Sequence, residues 1–364
     1  MQKIIWGLCL LACLGCREST LEWGQNLLKA KNYEKAREAF SLSIQEDETH
    51  WEAYYGRAQC ETALDLSAEA LADYEKAYIM HPTAETCAGL GKGYWDERNL
   101  EKAKSYLNRA IGMDADYADA YLNLGLIYAK EEEFPKALPY LLHAKGLYKQ
   151  MPEELSMALM LVYFETGNDP ACLEIIRSFK SSDTVTSAAY EYHGRLLQRK
   201  KQYQQALKEF NAAVDIDSTN VYAKVLVAEV YAQQAQYEAE IKERTRIIRQ
   251  VEDQKADAEL IGLSYYFRGM AKDNAGDFRG ALRDLDHSIA LSDGRAWAYF
   301  CRTVAKIHLR DFSGALQDYQ QAVRLRPDVA FDDYLSEDPS SYATFIAYAS
   351  RHGVRFSHNK STII

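Results

Sequence analysis

The chain has 364 residues, of which 48% are hydrophobic and 26% charged, the balance of a folded polypeptide, and its formal charge is −10. That charge disfavours nucleic acid as a partner, because phosphates need a basic stripe; the longest Lys/Arg run, Arg199-Lys200-Lys201, reads as a solvated helix end. Only 7 prolines but 26 tyrosines, among frequent Ala, Leu, Glu and Lys, suit packed helices whose tyrosines keep one polar edge in water.

Lys3 precedes an uncharged apolar run from Ile4 to Gly15, too short to cross a bilayer as a mature helix, so the sequence predicts an export signal over 1–16. The run stops at Leu14-Gly15-Cys16 and polar Arg17-Glu18-Ser19-Thr20 follow. This junction resembles the lipobox of bacterial lipoproteins, with Gly15 as the small residue before the acylated cysteine and Cys13 where a leucine is usual. The resemblance implies lipid attachment at Cys16 and a place in the bacterial cell envelope. With Arg17 rather than an aspartate after the cysteine, it leans to the outer membrane, facing the periplasm. A conventional signal cut nearby and an uncleaved anchor are the alternatives. Two or three acyl chains would hold the chain on a membrane, each buried methylene contributing about 0.8 kcal/mol.

Beyond residue 17 a motif recurs: alanine, three residues, then a large apolar side chain. It occurs at Ala36/Phe40, Ala70/Tyr74, Ala103/Leu107, Ala137/Leu141, Ala171/Ile175, Ala206/Phe210, Ala281/Leu285 and Ala315/Tyr319, with the alanines 34, 33, 34, 34, 35, 75 and 34 residues apart. The long interval holds a degenerate copy with Glu240 in the alanine's place. A small residue sits about twelve positions earlier in most copies, as at Gly24, Ala58, Gly91, Gly125, Gly194, Ala228 and Gly269. Each copy predicts two antiparallel helices crossing closely at the small residues, joined by turns such as Lys31-Asn32-Tyr33, Glu97-Arg98-Asn99 and Ala275-Gly276-Asp277. His81-Pro82 and Arg326-Pro327 end second helices, since proline cannot continue them.

These positions resemble the tetratricopeptide repeat (TPR) signature over residues 17–329, in nine units: 17–50, 51–83, 84–117, 118–151, 152–185, 187–220, 221–254, 262–295 and 296–329. The resemblance implies an all-α solenoid, a right-handed superhelix of helical hairpins with the first helix of each unit on the concave face. The units at 152–185 and 221–254 depart from the pattern, with Leu159 and Glu240 at normally small positions. The expected organisation is a TPR array over 17–254, a hinge at 255–261, two further units over 262–329, and a capping helix and tail over 330–364. The helix is expected at 340–352, from the stripe Tyr342, Phe345, Ile346 and Ala349 and the stop at Gly353.

No catalytic or metal motif survives inspection of the sequence. The eight histidines never fall at HxxxH spacing, and no GxSxG or P-loop occurs. Gly89-Leu90-Gly91-Lys92-Gly93 lacks the P-loop frame and occupies repeat positions instead. Cys60, Cys87, Cys172 and Cys301 form no CxxC pair and read as small buried hydrophobes, with Cys60–Cys87 the one pairing worth testing. The expectation is therefore a protein that is not an enzyme and has no cofactor, binding a protein or peptide in the groove. A soluble secreted repeat protein without lipid, or an enzyme hidden in the helical array, are the other readings.

Repeat phase, taken from the family, places Tyr266, Phe267, Met270, Trp297, Phe300, Val304 and Ile307 on the concave wall of the last two units. Aromatic and Met side chains suit a peptide-gripping surface, and the 340–352 helix is the competing occupant. The middle wall is more polar, with Lys92, Trp95, Asn123, Lys130, Glu191, Tyr192, Arg195 and Arg199. Arg195 and Arg199, one helical turn apart, suit an acidic peptide or a terminal carboxylate. The carboxylate clamp of chaperone-binding TPR domains is not assembled: Asn123 fits its middle position, but Ala88 and Lys92 before it and Met157 after it do not.

Overall fold

The computed structural model describes residues 19–180, 186–329 and 339–354. The export signal with Cys16, and the tail beyond residue 354, lie outside the described residues. Among the described residues there are nineteen helices and no strand, in the order of an α-solenoid of TPR type. The hairpins are α1 (Thr20–Lys29) with α2 (Tyr33–Glu46), α3 (Trp51–Ala63) with α4 (Ser67–Met80), α5 (Ala84–Asp96) with α6 (Leu100–Met113), and α7 (Ala118–Lys130) with α8 (Phe134–Leu147). They continue with α9 (Glu153–Glu165) and α10 (Asp169–Lys180), α11 (Ser187–Arg199) and α12 (Tyr203–Ile216), and α13 (Val221–Gln233) and α14 (Tyr237–Asp253). The last two are α15 (Ala258–Asn274) with α16 (Phe278–Leu291) and α17 (Ala296–His308) with α18 (Phe312–Leu325), followed by the single helix α19 (Pro339–Arg351).

The chain divides into two compact units, 1–175 and 176–364. Within each, the second helix of a hairpin packs on the first helix of the next, so the cores lie at the seams between neighbours. Segment 255–261, expected as a hinge, is a tight connection. Asp257 caps α15 by accepting the Leu260 N–H at 2.7 Å, residues 258–261 are the helix's first turn, and α14 packs directly on α15.

One register, sixteen residues, organises the hairpins. A Cβ built on Gly24 would stand 2.8 Å from the Phe40 ring, on Gly125 2.4 Å from Leu141 Cδ2, and on Gly194 2.4 Å from Phe210 Cε1. The small residue of the first helix thus receives the large residue of the second, which is why the two recur together along the sequence. The same offset carries buried ion pairs. Arg57, Arg268 and Arg302 each donate two hydrogen bonds, one to either oxygen of Asp73, Asp284 and Asp318 respectively, at 2.5–2.9 Å. Such bidentate pairs, sheltered between the two helices of one hairpin, are the strong kind.

The turns inside the hairpins repeat as well. Each holds one residue in the left-handed region: Lys31, Asp65, Arg98, Glu132, Gly167, Lys201, Ala235, Gly276 and Arg310, with φ between 54° and 81°. In the first hairpin Lys31 N–H donates to Leu28 O and Asn32 N–H to Leu27 O, both at 2.9 Å, a Schellman closure that satisfies the helix's last carbonyls. Only two of these nine turns use glycine.

The degenerate seventh hairpin keeps its phase because Glu240 is neutralised. Arg244, one turn on, donates from Nε to Glu240 Oε1 at 2.6 Å, and both residues are buried. Of the four described cysteines all are free thiols, so the Cys60–Cys87 bridge is not formed. Cys87 donates to Tyr106 O at 3.3 Å and Cys172 to Met160 O at 3.5 Å, the behaviour of buried small side chains.

Candidate partner-binding site

A pocket of about 740 Å³ opens in the second unit, between hairpins eight and nine and the final helix. Helix α15 supplies Tyr266, Met270, Asp273 and Asn274, and Gly276 and Phe278 come from the turn and the start of α16. Helix α17 supplies Trp297, Phe300, Cys301, Val304 and His308, and α19 contributes Tyr342. These side chains come from one helix face at α15 and one at α17 because positions three, four and seven apart share a face.

The walls are aromatic and ordered by ring contacts. Trp297 and Phe300 meet edge to face at 5.9 Å, Phe278 stacks on His308 at 4.3 Å, and His308 meets Tyr342 at 6.2 Å. Helix α19 closes the open end of the ninth hairpin: Tyr342, Phe345 and Ala349 are buried, and Phe345 meets Tyr319 edge on at 6.3 Å. It packs on both α17 and α18, so it covers the end of the stack, and among its described side chains Tyr342 alone reaches the pocket.

Among the groove residues expected from repeat phase, Tyr266, Met270, Trp297, Phe300 and Val304 therefore line one pocket. Three of the expected features differ. Ile307 is buried in the core of the ninth hairpin and does not line the pocket. Phe300 is 5% exposed and belongs to the core of the ninth hairpin, touching the pocket only as its floor. Phe267 is not among the lining residues; its ring lies 4.9 Å from the Arg244 guanidinium, turned towards the seventh hairpin.

Arg195 and Arg199 lie on α11, away from this pocket, and neither stands free. Arg195 sits 5.4 Å over the Tyr192 ring and near Glu229, whose carboxyl burial holds above its usual range. Glu191 accepts a hydrogen bond from Asn220 at 2.6 Å. In the first unit Trp95 packs on the core, and Lys92 faces Asp96.

Sequence reasoning missed Asp273, Cys301, His308, Phe278 and Tyr342 as pocket residues. Asp273, Cys301 and His308 were within reach, since they hold the twelfth, sixth and thirteenth positions of their units, all concave ones. Phe278 and Tyr342 depend on how the hairpins and the last helix meet.

Among the described residues of the lining, Asp273 is the only formal charge. Its Oδ1 is buried without a hydrogen-bond partner, and burial pushes its carboxyl up to about 7. Cys301 faces it, and burial pushes that thiol up to about 12, so it is protonated at neutral pH. Its Sγ reaches Tyr266 Oη at 4.0 Å, while His308 is occupied by its stacking on Phe278 and is not bonded to Cys301. A cysteine nucleophile needs a thiolate and a hydrogen-bonded base, so Asp, Cys and His here do not form a catalytic group. What the pocket offers is an apolar, aromatic surface with one uncompensated acid.

With that geometry in place, comparisons with known proteins locate the repeats. The tetratricopeptide repeat family model matches residues 21–85 and 89–152. These two segments are similar to tetratricopeptide repeats. A stretch of 123 residues, 34% of this chain, is 27% identical to Tetratricopeptide repeat protein 6 of Homo sapiens and covers 24% of that protein's length. Among solved structures, the crystal structure of APC/C hetero-tetramer Cut9-Hcn1 resembles this chain at 12% identity and a TM-score of 0.45, over 95% of this chain and 59% of the other. Stacked tetratricopeptide hairpins expose long surfaces to other proteins, because each hairpin contacts only its neighbours.

Proposed function

We propose that this chain is a non-catalytic interaction scaffold and that it grips a segment of a partner protein in the pocket between α15, α17 and α19. The observation that carries this reading is the pocket itself: about 740 Å³, walled by half-buried Tyr266, Met270, Trp297 and Val304, in a chain whose repeats form successive seams. Partner anchors concentrate in aromatic-lined concavities of this size. A photo-crosslinking side chain at position 270 tests it in the native cell. The expected result is a discrete crosslinked species that disappears on Trp297→Glu and is absent when the crosslinker is moved to Ile79, which is 78% exposed in the first unit. Identical crosslinks from both sites would remove the pocket from the account.

We further propose that the scaffold is tethered to a bacterial envelope by acylation of Cys16. Support comes from the charged start at Lys3, the apolar run to Gly15 and the polar residues from Arg17 on. Among the described residues no helix is long and apolar enough to cross a membrane. Mass spectrometry of the mature N-terminus decides the matter: a diacylglyceryl cysteine at 16 supports the tether, and a free amine beyond residue 16 rejects it.

A further inference from the structure

We propose that the pocket of hairpins eight and nine takes the basic side chain of a partner, a lysine or arginine whose charged end meets Asp273 while its methylene stem lies between the aromatic walls. The inference deepens the docking reading above and rests on it.

Three observations converge. The first is an acid with no partner: the Asp273 Oδ1 is buried and has no hydrogen-bond partner, and no cation pairs with this carboxylate among the described residues. Buried carboxylates are normally paired, and the two nearest counterparts of Asp273 in these hairpins are. Asp284 and Asp318 each receive an arginine and a lysine within 2.8 Å, from the same two hairpins. Those two arginines and two lysines are thereby engaged and leave Asp273 unanswered.

The second is the wall. The rings of Trp297 and Tyr266 line the cavity that holds Asp273, with Phe300 as its floor. Aromatic faces attract ammonium and guanidinium groups, most strongly where water is excluded. The chain already uses this contact: Arg244 lies 4.9 Å from the centre of the Phe267 ring, and Arg295 sits 6.0 Å from that of Tyr266, on this wall itself. Arg295 does not act on Asp273, whose upward shift has burial as its one cause.

The third is sign. Asp273 is the one formal charge among the described residues lining the pocket, and the chain as a whole carries −10, so a cation is drawn to this surface and an anion repelled. The remaining titratable groups around the cavity are Tyr266, Cys301, His308 and Tyr342. Burial keeps the phenol of Tyr266 and the thiol of Cys301 in their neutral forms at neutral pH. A lysine or arginine matches all three features, because its stem is apolar and only its end is charged.

The test uses the full chain at pH 8 and a random dodecapeptide library displayed on phage. The expected peptides carry a lysine or arginine beside an apolar residue. Replacing that lysine or arginine by norleucine should weaken binding at least tenfold to the wild-type chain and less than twofold to Asp273→Asn, whose helical circular dichroism should match wild type. Peptides without a basic residue, or an equal norleucine effect in both chains, overturn the basic side chain; so does a library that yields no enriched peptide. Trp297→Glu separates the two readings. If it abolishes binding while Asp273→Asn changes nothing, the docking pocket stands and the basic side chain falls. If neither variant affects the selected peptides, the pocket itself is not the site.

Discussion

Glu61 stands beside Asp73 in the second hairpin, in the place that lysine holds in the eighth and ninth. There Lys272 and Lys306 reach Asp284 and Asp318 at 2.7 Å, each one helical turn after the arginine that binds the same aspartate. In the second hairpin the corresponding turn brings a second carboxylate to Arg57, whose bidentate bond goes to Asp73 and which lies 3.9 Å from Glu61. Burial first, and the Asp73 charge second, push the Glu61 carboxyl up to about 7.

That shift makes stability depend on pH in a defined direction. The folded pKa lies above the ordinary 4.5, so the folded state holds a proton that the unfolded chain has lost. The contribution is fully present below about 4.5 and is lost as pH rises through 7. Glu61→Gln should leave stability at pH 4 unchanged and raise it at pH 8 by about 2 kcal/mol. Urea unfolding at the two pH values measures this, and an equal effect at both would contradict it. Glu61→Lys should gain more at pH 8, since it restores the arrangement of the last hairpins.

The sixteen-residue register predicts what a single methyl does. A Cβ on Gly125 would lie 2.4 Å from Leu141 Cδ2 and 3.3 Å from the Leu141 backbone nitrogen, so the hairpin cannot absorb it by a rotamer change alone. Gly125→Ala should destabilise by about 1–2 kcal/mol, with overpacking outweighing the better helix propensity of alanine. Gly146, with open space around its Cβ, is the control: Gly146→Ala should stabilise by up to about 1 kcal/mol. Equal effects at the two positions would show that helix propensity, and not the register, sets the outcome.

The turns offer the reverse experiment. Arg310 holds φ at 62° without being glycine, whereas Gly276 fills the equivalent turn of the preceding hairpin. A left-handed non-glycine residue is strained by about 1 kcal/mol. Arg310→Gly is therefore expected to raise the melting temperature slightly, and Gly276→Ala to lower it by a similar amount. A fall for both variants would mean that the Arg310 side chain contributes more than its backbone strain removes.

Phe300 and Trp297 share the pocket yet should respond differently to charge. Phe300 is 5% exposed in the core of the ninth hairpin, and a buried carboxylate there costs about 3 kcal/mol or more. Phe300→Glu should loosen α17, α18 and α19 together, seen as lost hydrogen-exchange protection in those helices. Trp297→Glu, at a half-buried position, should keep that protection and lose partner capture alone. Loss of protection in both would make Trp297 a core residue and not a grip.

The nine hairpins and the closing helix α19 were legible from residue order because their determining contacts are local. The small residue and its large partner are sixteen positions apart inside one hairpin, and the next hairpin repeats the arrangement after about thirty-four. A one-dimensional period is what such a fold writes into a chain. Even Glu240, which breaks the pattern, is answered one turn away by Arg244.

The pocket was only partly legible. Phase named Tyr266, Met270, Trp297 and Val304, because facing the groove is a property of helix position. Phase alone could not separate Phe300, drawn into the core, from Trp297 beside it, nor tell that Phe267 turns to Arg244. Nor could it show that Asp273 is left without a cation while Asp284 has two. That outcome depends on which side chains from α15, α16, α17 and α19 arrive together and which arginines are already engaged. Periodicity specifies the helices and their order; the uncompensated charge between them exists only once the hairpins have packed, because desolvation and pairing are properties of three-dimensional neighbours.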